Sequence, residues 1–376
     1  MSVRVAVNML WSVPGVGGSE EYLARQMLGL ASIGADLEIE VFAPRGFTER
    51  RPDVAGAVRV REVRSFNTTR ATRIAIEHSW LAFATRGFDL AHHGGGTVPR
   101  LGNPTTLVTL HDVQWTAYPE YVGATKLRYL RSMVPSSLRR ATRIAVPSRF
   151  VASTLTAEFG IDPSRISVVR HGLQGAVGTA PTSGVELRSR LGLGSGPVLV
   201  YPANTHPHKN HVLLLDLLAR GAGAWADPTL RLVFAGSPGR AEDEVRAAIS
   251  ARGLGDRVVM AGRVSDADRD GLLALAEAMV FPSLYEGFGA PVIEAMRIGT
   301  PIVCADRGSL PEVAGDAAVV VEPDVDAWAG ALDRVRAERA ELVARGRARA
   351  AEFTAEKSAE DLVDAYRQVL DDGGAR

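Results

Sequence analysis

Two glutamates, Glu286 and Glu294, stand with seven residues between them in the run FPSLYEGFGAPVIEAMRIGTPIV (281–303). Apolar residues lead into the run. Glu286 therefore falls in a loop after a strand, and Glu294 in the first turns of a helix that starts near Pro291. The Gly-Phe-Gly-Ala-Pro between them lets backbone N–H groups converge at a helix N-terminus, where an anion is welcome. A carboxylate on either side of such a cradle can grip vicinal hydroxyls, one set on a sugar and one on a ribose. Charge-assisted hydrogen bonds of this kind are roughly twice as strong as neutral ones.

Three further segments carry candidate chemistry. VLVYPANTHPHKNH (198–211) places Lys209 at a helix start after a strand and a polar loop. A lysine there is a compact charge for a leaving pyrophosphate, or simply a solvated helix-start cation. TLVTLHDV (106–113) ends in His111-Asp112, where the imidazole can bond a substrate hydroxyl and Asp112 can orient it. His92-His93 ends another strand in the same way, with a weaker pattern. PGVGGSEE (14–21) follows the first strand and opens a helix; Gly17 and Gly18 allow close backbone approach to an anion, or merely a tight turn. Its G-x-G-x-x-G spacing is broken, and the next strand ends in Ala43-Pro44 where a dinucleotide site needs an acid, so NAD binding is disfavoured.

Short apolar strands and amphipathic helices alternate through most of the 376 residues. Strands are expected at 3–9, 37–43, 58–63, 88–92, 105–110 and 143–147, with helices near 19–32, 70–86, 125–140 and 148–160. After a Gly/Ala/Thr/Pro cluster at 172–184 the pattern restarts, with strands at 197–203, 230–236, 256–262, 278–283, 301–306 and 317–323. Helices at 325–350 and 355–371 close the chain. Alternation of this type builds parallel sheets covered on both faces. The expected fold class is α/β, two Rossmann-like doubly wound domains facing a cleft, with ligands at the strand C-terminal ends.

Hydrophobic residues at 46% and charged residues at 23% describe a chain that buries a core. One cysteine excludes a disulfide framework and a Cys-rich zinc site. No apolar run approaches the roughly 20 residues of a bilayer span, so a cytoplasmic protein is expected. Lys+Arg and Asp+Glu balance at 43 each, which gives no sign of a nucleic-acid partner. The balance is uneven along the chain. Residues 1–172 hold 21 cationic side chains against 14 anionic ones, and the rest hold 22 against 29. The basic stretches Arg59–Arg73 and Lys126–Arg149 are either solvated helix faces or a surface for an anionic membrane or a phosphorylated acceptor, where each cation adds about 1 kcal/mol. DADRD (266–270) and DVD (324–326) match the letters of a cation-binding Asp-x-Asp, but both fall where helices start and read as N-cap and first-turn acids.

The EGFGAPVIEAMRIGTPIV run, with TLHD, VPSRFVASTLTAEFGI, RISVVRHG, HKN and RGSLPEVAGDAAVVVEP, resembles the retaining glycosyltransferases of family 4, which have the two-domain GT-B fold. The resemblance covers nearly the whole chain and is similar to mannosyltransferase members. It implies an N-terminal acceptor-side domain over 1–172, a linker at 173–196 and a nucleotide-sugar-binding domain over 197–352. A last helix, within 353–376, would cross back to the first domain. It further implies that His111, Lys209 and Glu286 act in catalysis. The donor would be held by Gly17, Gly18, Asn204, Lys209, Arg263, Val264, Glu286, Phe288, Gly289, Ala290 and Glu294. No metal and no cofactor is expected. The partners are a nucleoside-diphosphate sugar, first GDP-mannose and second a UDP-hexose, and a glycan, lipid-linked or small-molecule acceptor. Peripheral contact with the inner membrane face would run through the basic first domain. Asn204 stands where the family commonly has an arginine, so the second cation of a diphosphate clamp is missing, with His206, His208 or a cation from elsewhere in the chain as candidate replacements. A nucleotide-sugar epimerase of the same architecture and a non-catalytic nucleotide-sugar-binding subunit are the alternative readings.

Overall fold

A computed structural model describes residues 2–13, 17–64, 69–173 and 177–374. The chain divides into two compact units, Met1–Gly172 with Thr354–Arg376, and Leu173–Phe353.

The first unit holds a seven-stranded parallel sheet. Its strands are β1 (Val3–Asn8), β2 (Leu37–Ala43), β3 (Arg59–Glu62), β4 (Leu90–His93), β5 (Thr106–Thr109), β6 (Arg143–Val146) and β7 (Ile166–Val168), in the order β3-β2-β1-β4-β5-β6-β7. The second holds β8 (Val198–Tyr201), β9 (Arg231–Phe234), β10 (Val258–Met260), β11 (Ala278–Phe281), β12 (Ile302–Ala305) and β13 (Val319–Val321), ordered β10-β9-β8-β11-β12-β13. Every pairing is parallel. Strands β4, β5, β8, β11 and β12 are buried along their whole length, as helices on both faces require. The expected α/β GT-B class is the observed one. In each sheet the strand order reverses once, between β1 and β4 and between β8 and β11. Loops leaving those strand ends diverge and leave a crevice, where ligands of open α/β sheets bind.

The last helix, Ala355–Gly374, belongs to the first unit. Its stripe of Ala359, Leu362, Ala365, Tyr366 and Val369 recurs at helical spacing and is buried in the β1–β2 core. It lies close against the Gly18–Ser32 helix at Gly29, where an added Cβ would meet the Ala355 carbonyl oxygen at 2.4 Å.

Several expectations need correction. The 173–196 linker contains a helix, Gly184–Leu191, capped by Ser183 and buried through Leu187 in the second core. Leu173 joins the same core. The 325–350 helix is three helices, Val325–Ala329, Ala331–Ala337 and Arg339–Ala350, broken at Gly330 and Glu338. The 70–86 helix runs as α-helix over Arg70–Ile76, widens into a π turn at Glu77–Leu81 and returns to α-helix at Ala82–Ala84. Strand β7 and the short helices Phe47–Arg50 and Pro52–Ala57 were not anticipated.

His92 and His93 lie in the first core rather than at a ligand. The His92 ring sits between Tyr366 Oη (2.9 Å) and Thr109 Oγ1 (2.7 Å), and His93 Nδ1 lies 3.3 Å from Asn8 Nδ2. Burial pushes His92 down to about 3 and His93 to about 4, so both are neutral in the fold. An unfolded histidine titrates near 6.5. Below that pH the unfolded chain binds protons the folded chain refuses. The stability present above about 6.5 is therefore lost as pH falls toward 4, by up to about 1.4 kcal/mol per pH unit and residue. The urea midpoint is expected to drop from pH 7 to pH 5. His92→Gln, which retains a donor and an acceptor, should show a shallower drop; an identical slope would remove His92 from this account.

Candidate active site

The second sheet's reversal point is built from the loops after β8 and β11. Tyr201, the last residue of β8, donates its hydroxyl to the Lys209 carbonyl at 2.8 Å. The chain then makes a 3₁₀ turn, Pro207–Lys209, and enters the His211–Arg220 helix through Asn210 in the left-handed region at φ 55°. Asn210 is the one non-glycine there among the described residues. Asparagine tolerates that conformation, which explains its place after the lysine. The two loops are stitched together at His208, whose carbonyl accepts from the Leu284 N–H (2.8 Å) and the Ser283 hydroxyl (3.3 Å).

That stitching brings Lys209 Nζ to 2.5 Å from Glu286 Oε1, with both side chains largely buried. The Phe281 ring lies 5.8 Å from the ammonium. The Glu286 carbonyl accepts from the Ser309 N–H (3.2 Å) and hydroxyl (3.0 Å), which fixes the loop from below. Phe288 turns its ring into the core against Phe353, leaving only its backbone for a ligand. Gly289 caps the Ala290–Ile298 helix at φ 92°, and a Cβ there would strike Leu310 at 2.8 Å, so no other residue fits without a shift. Glu294 lies in the second turn of this helix and is buried.

Glu294 takes a partner that the sequence reading missed. Arg269 Nε stands 3.8 Å from its carboxylate and forks onto Asp270 at 2.9 and 3.1 Å. Burial works against the Arg269 charge, but Glu294 and Asp270 more than offset it and raise its pKa. Arg269 sits inside the DADRD run, where only its acids drew attention. Those acids are engaged in the second unit. Ser265 caps the Asp266–Leu275 helix through the Asp268 N–H, Asp268 accepts from Thr182 and pairs with Arg190, and Asp270 accepts the Gly178 N–H. Asp324 likewise caps the Val325–Ala329 helix.

Asn204 holds a loop. Its Oδ1 accepts the Ser237 N–H at 2.8 Å, tying the β8 loop to the β9 loop. His208 cannot replace a cation, because burial and the nearby Lys209 push it down to about 3. Arg263 is exposed and Val264 half-buried, on the loop between β10 and the Asp266–Leu275 helix.

The first unit holds the remaining candidates. Gly17 is the N-cap and Gly18 the first residue of the Gly18–Ser32 helix, and a Cβ at either would meet nothing within 4 Å. Pro14, Gly15 and Val16 of the same motif lie outside the described residues. His111 lines a cavity of about 390 Å³ with Trp11, Gly95, Trp115, Arg73 and Lys126. Its Nε2 faces the Gly94 carbonyl at 3.2 Å. A carbonyl only accepts, so Nε2 carries the proton and the lone pair rests on Nδ1. Burial lowers the His111 pKa, favouring this neutral form. Asp112 does not orient the ring by a hydrogen bond; its Oδ1 accepts the Gln114 N–H at 3.0 Å.

Two Rossmann-like units, with an ion pair and a glycine-capped helix at the second sheet's reversal point, define a GT-B protein. Known sequences agree. The family descriptions "Glycosyltransferase Family 4" and "Glycosyl transferases group 1" match residues 16–174 and 186–353. O-antigen chain mannosyltransferase B of Escherichia coli is 30% identical over 295 residues, covering 76% of each chain. The MMP alpha-(1->4)-mannosyltransferase of Mycolicibacterium hassiacum is 31% identical over 240 residues, 62% of this chain and 55% of that protein. Among solved structures, Anabaena HepE in complex with UDP and glucose superposes with a TM-score of 0.74 at 19% identity, covering 96% of this chain and 98% of that one. The chain belongs to the family 4 glycosyltransferases and is mannosyltransferase-like.

Removing the cation shared by two buried carboxylates is costly. Arg269→Gln is expected to lose about 3 kcal/mol of stability, read as a lower urea midpoint, whereas Arg263→Gln on the exposed loop should leave the midpoint unchanged.

Proposed function

We propose that this glycosyltransferase moves a hexose from a nucleoside-diphosphate sugar to an acceptor hydroxyl, with retention of configuration and without a divalent metal. The observation that carries the reading is the Lys209–Glu286 pair at the β8/β11 reversal point, beside the Gly289-capped helix. Mannose from GDP-mannose is the first donor assigned and a UDP-hexose the second. Mannosyltransferases among the relatives support the former, and the UDP and glucose named for HepE are a reason to test the latter.

In the proposed reaction the bond between the anomeric carbon and the diphosphate oxygen breaks. The acceptor oxygen bonds the same face of the sugar, and the departing phosphate oxygen takes the acceptor's proton. Lys209 stabilises the charge that builds on the leaving diphosphate, with the N–H groups of Gly289 and Ala290 at the helix entrance. Glu286 accepts from hexose hydroxyls and Glu294 from ribose hydroxyls. Phe288 offers its backbone only. Val264 reads the base through its backbone, and Arg263 contacts the nucleotide. Asn204, with its oxygen committed to Ser237, keeps its N–H₂ for the donor. Gly17 and Gly18 are assigned to the distal phosphate and neutral His111 to the hexose near O6.

The acceptor is a glycan, lipid-linked or small-molecule alcohol. Peripheral contact with an anionic membrane through the basic first unit belongs to the same proposal. Among the described residues no helix is long and apolar enough to cross a membrane.

Calorimetry with UDP-, GDP-, ADP- and dTDP-sugars, without metal and with excess chelator, tests the reading. One donor should bind, chelator should change nothing, and Glu294→Ala should abolish the heat. Lys209→Met should lower turnover by about 10²–10³. A Glu294→Ala protein that binds donor as well as the parent, or a requirement for a divalent cation, would overturn the site assignment.

A further inference from the structure

Among the described residues, three large apolar side chains stand largely in solvent: Phe83 at 65%, Leu101 at 64% and Val185 at 82%. The first two belong to the first unit. Gly102 is packed on the Ala82 backbone, so that a Cβ added to it would lie 3.4 Å from the Ala82 Cα, and Leu101 and Phe83 are each one residue from that contact.

An arginine adjoins each of them. The Arg86 guanidinium stacks on the Phe83 ring at 4.3 Å. The loop carrying Leu101 is pinned by the Arg100 N–H donating to His78 Nδ1 at 3.3 Å, and by Arg140 donating to the Val98 carbonyl and the Ser136 hydroxyl. Burial first, and then Arg100 and Arg139, depress the Arg140 pKa, so Arg100 and Arg139 both lie within electrostatic reach of Arg140. Carboxylates are scarce here. From 121 to 157 the chain has seven Lys and Arg and no Asp or Glu. Those nearest in sequence to Phe83 are committed elsewhere: buried Glu77 to Asn8 and Arg73, and Asp89 to the Arg4 N–H.

We propose that this face docks on an anionic bilayer surface. Phe83 and Leu101 enter the boundary between headgroups and acyl chains, and Arg86, Arg100, Arg139 and Arg140 lie against lipid phosphates. The inference locates the membrane contact proposed above and does not depend on the donor chemistry. Charge complementarity selects the partner: a concentration of arginines without acids fits a uniformly anionic sheet. The apolar part selects a bilayer over a protein. Two isolated tips make no patch of the several hundred Å² that a protein interface core uses. A bilayer accepts single tips, and arginine stems lie along apolar surface while their heads stay wet.

Sedimentation of the full chain with vesicles tests this. Vesicles of equal parts phosphatidylcholine and phosphatidylglycerol should carry the protein down, vesicles of phosphatidylcholine alone should not, and high salt should release it. Each cation at such a surface is worth roughly fivefold in partitioning, so the double reversal Arg100→Glu with Arg139→Glu should lower it by at least about 25-fold. Phe83→Ser with Leu101→Ser should lower it roughly tenfold or more and leave the salt dependence in place. All four side chains are exposed, and unchanged urea midpoints and donor heats would show that the variants fold. Equal binding to both vesicle types, or anionic-vesicle binding untouched in both double variants, would overturn the proposal. So would self-association in light scattering that the Phe83/Leu101 variant abolishes. None of these outcomes bears on whether a donor sugar binds, so this inference and the transferase reading fail separately.

Discussion

A parallel sheet can change its direction of winding only by leaving two neighbouring strands whose following loops depart to opposite sides. In the second unit those strands are β8 and β11, and the rest of the candidate site depends on how their loops are joined. The join is small. One carbonyl, that of His208, accepts from Leu284 and Ser283. Tyr201 clamps the next carbonyl, that of Lys209, to the end of β8. Ser309 clamps the Glu286 carbonyl from the β12 side. With both backbones held, the opposite charges on Lys209 and Glu286 meet at hydrogen-bonding distance instead of searching through solvent. The ion pair is thus a product of strand order, and its neighbours are set by the same constraint.

Much of this was legible in the sequence, for a physical reason. A strand buried on both faces must be apolar throughout, so VLVY, AMVF and IVCA announce themselves without a partner in view. Twelve of the thirteen strands are expected from the sequence, although the edge strand β3, Arg59–Glu62, is not an apolar run. Strand β7 was not, because an edge strand of three half-buried residues carries no such run. The Glu286 loop was legible through Gly289, whose left-handed backbone forces a glycine. What the sequence hides are partnerships made across space. Arg269 is seventeen residues before Glu286 and twenty-five before Glu294, and nothing local marks it as the cation beneath Glu294. The same blindness made His92-His93 look like a site: a strand C-terminus does not show that Tyr366, 274 residues on, closes over the ring.

The missing arginine at position 204 also looks different once the loops are seen. Asparagine there has its own work, since its oxygen ties the β8 loop to the β9 loop at Ser237. The loops touch so closely that a Cβ at Gly236 would lie 2.1 Å from the Ala203 carbonyl oxygen. A rigid pair of loops keeps Lys209 where it is without a second cation to share the task. The imidazole of His208 adds no charge, being neutral at physiological pH. Under the proposed reading, the burden on a leaving diphosphate then falls on one ammonium and on the dipole of the Ala290–Ile298 helix, whose first turn carries no acidic side chain to blunt it.

A single lysine with a carboxylate already on it seems a poor anion receptor, but the pairing has a consequence for selectivity. A ligand that brings only phosphate must draw Lys209 away from Glu286 and leave that carboxylate, half-sealed from water, with nothing to accept from. An unsatisfied buried carboxylate costs more than an ordinary hydrogen bond returns. A nucleotide sugar brings both halves of the exchange: phosphate oxygens for the ammonium, and vicinal hydroxyls for the carboxylate. Under the proposed reading the ion pair therefore penalises free phosphate and nucleotide alone relative to the sugar-bearing donor, and it does so with the same two residues that the transfer reaction uses.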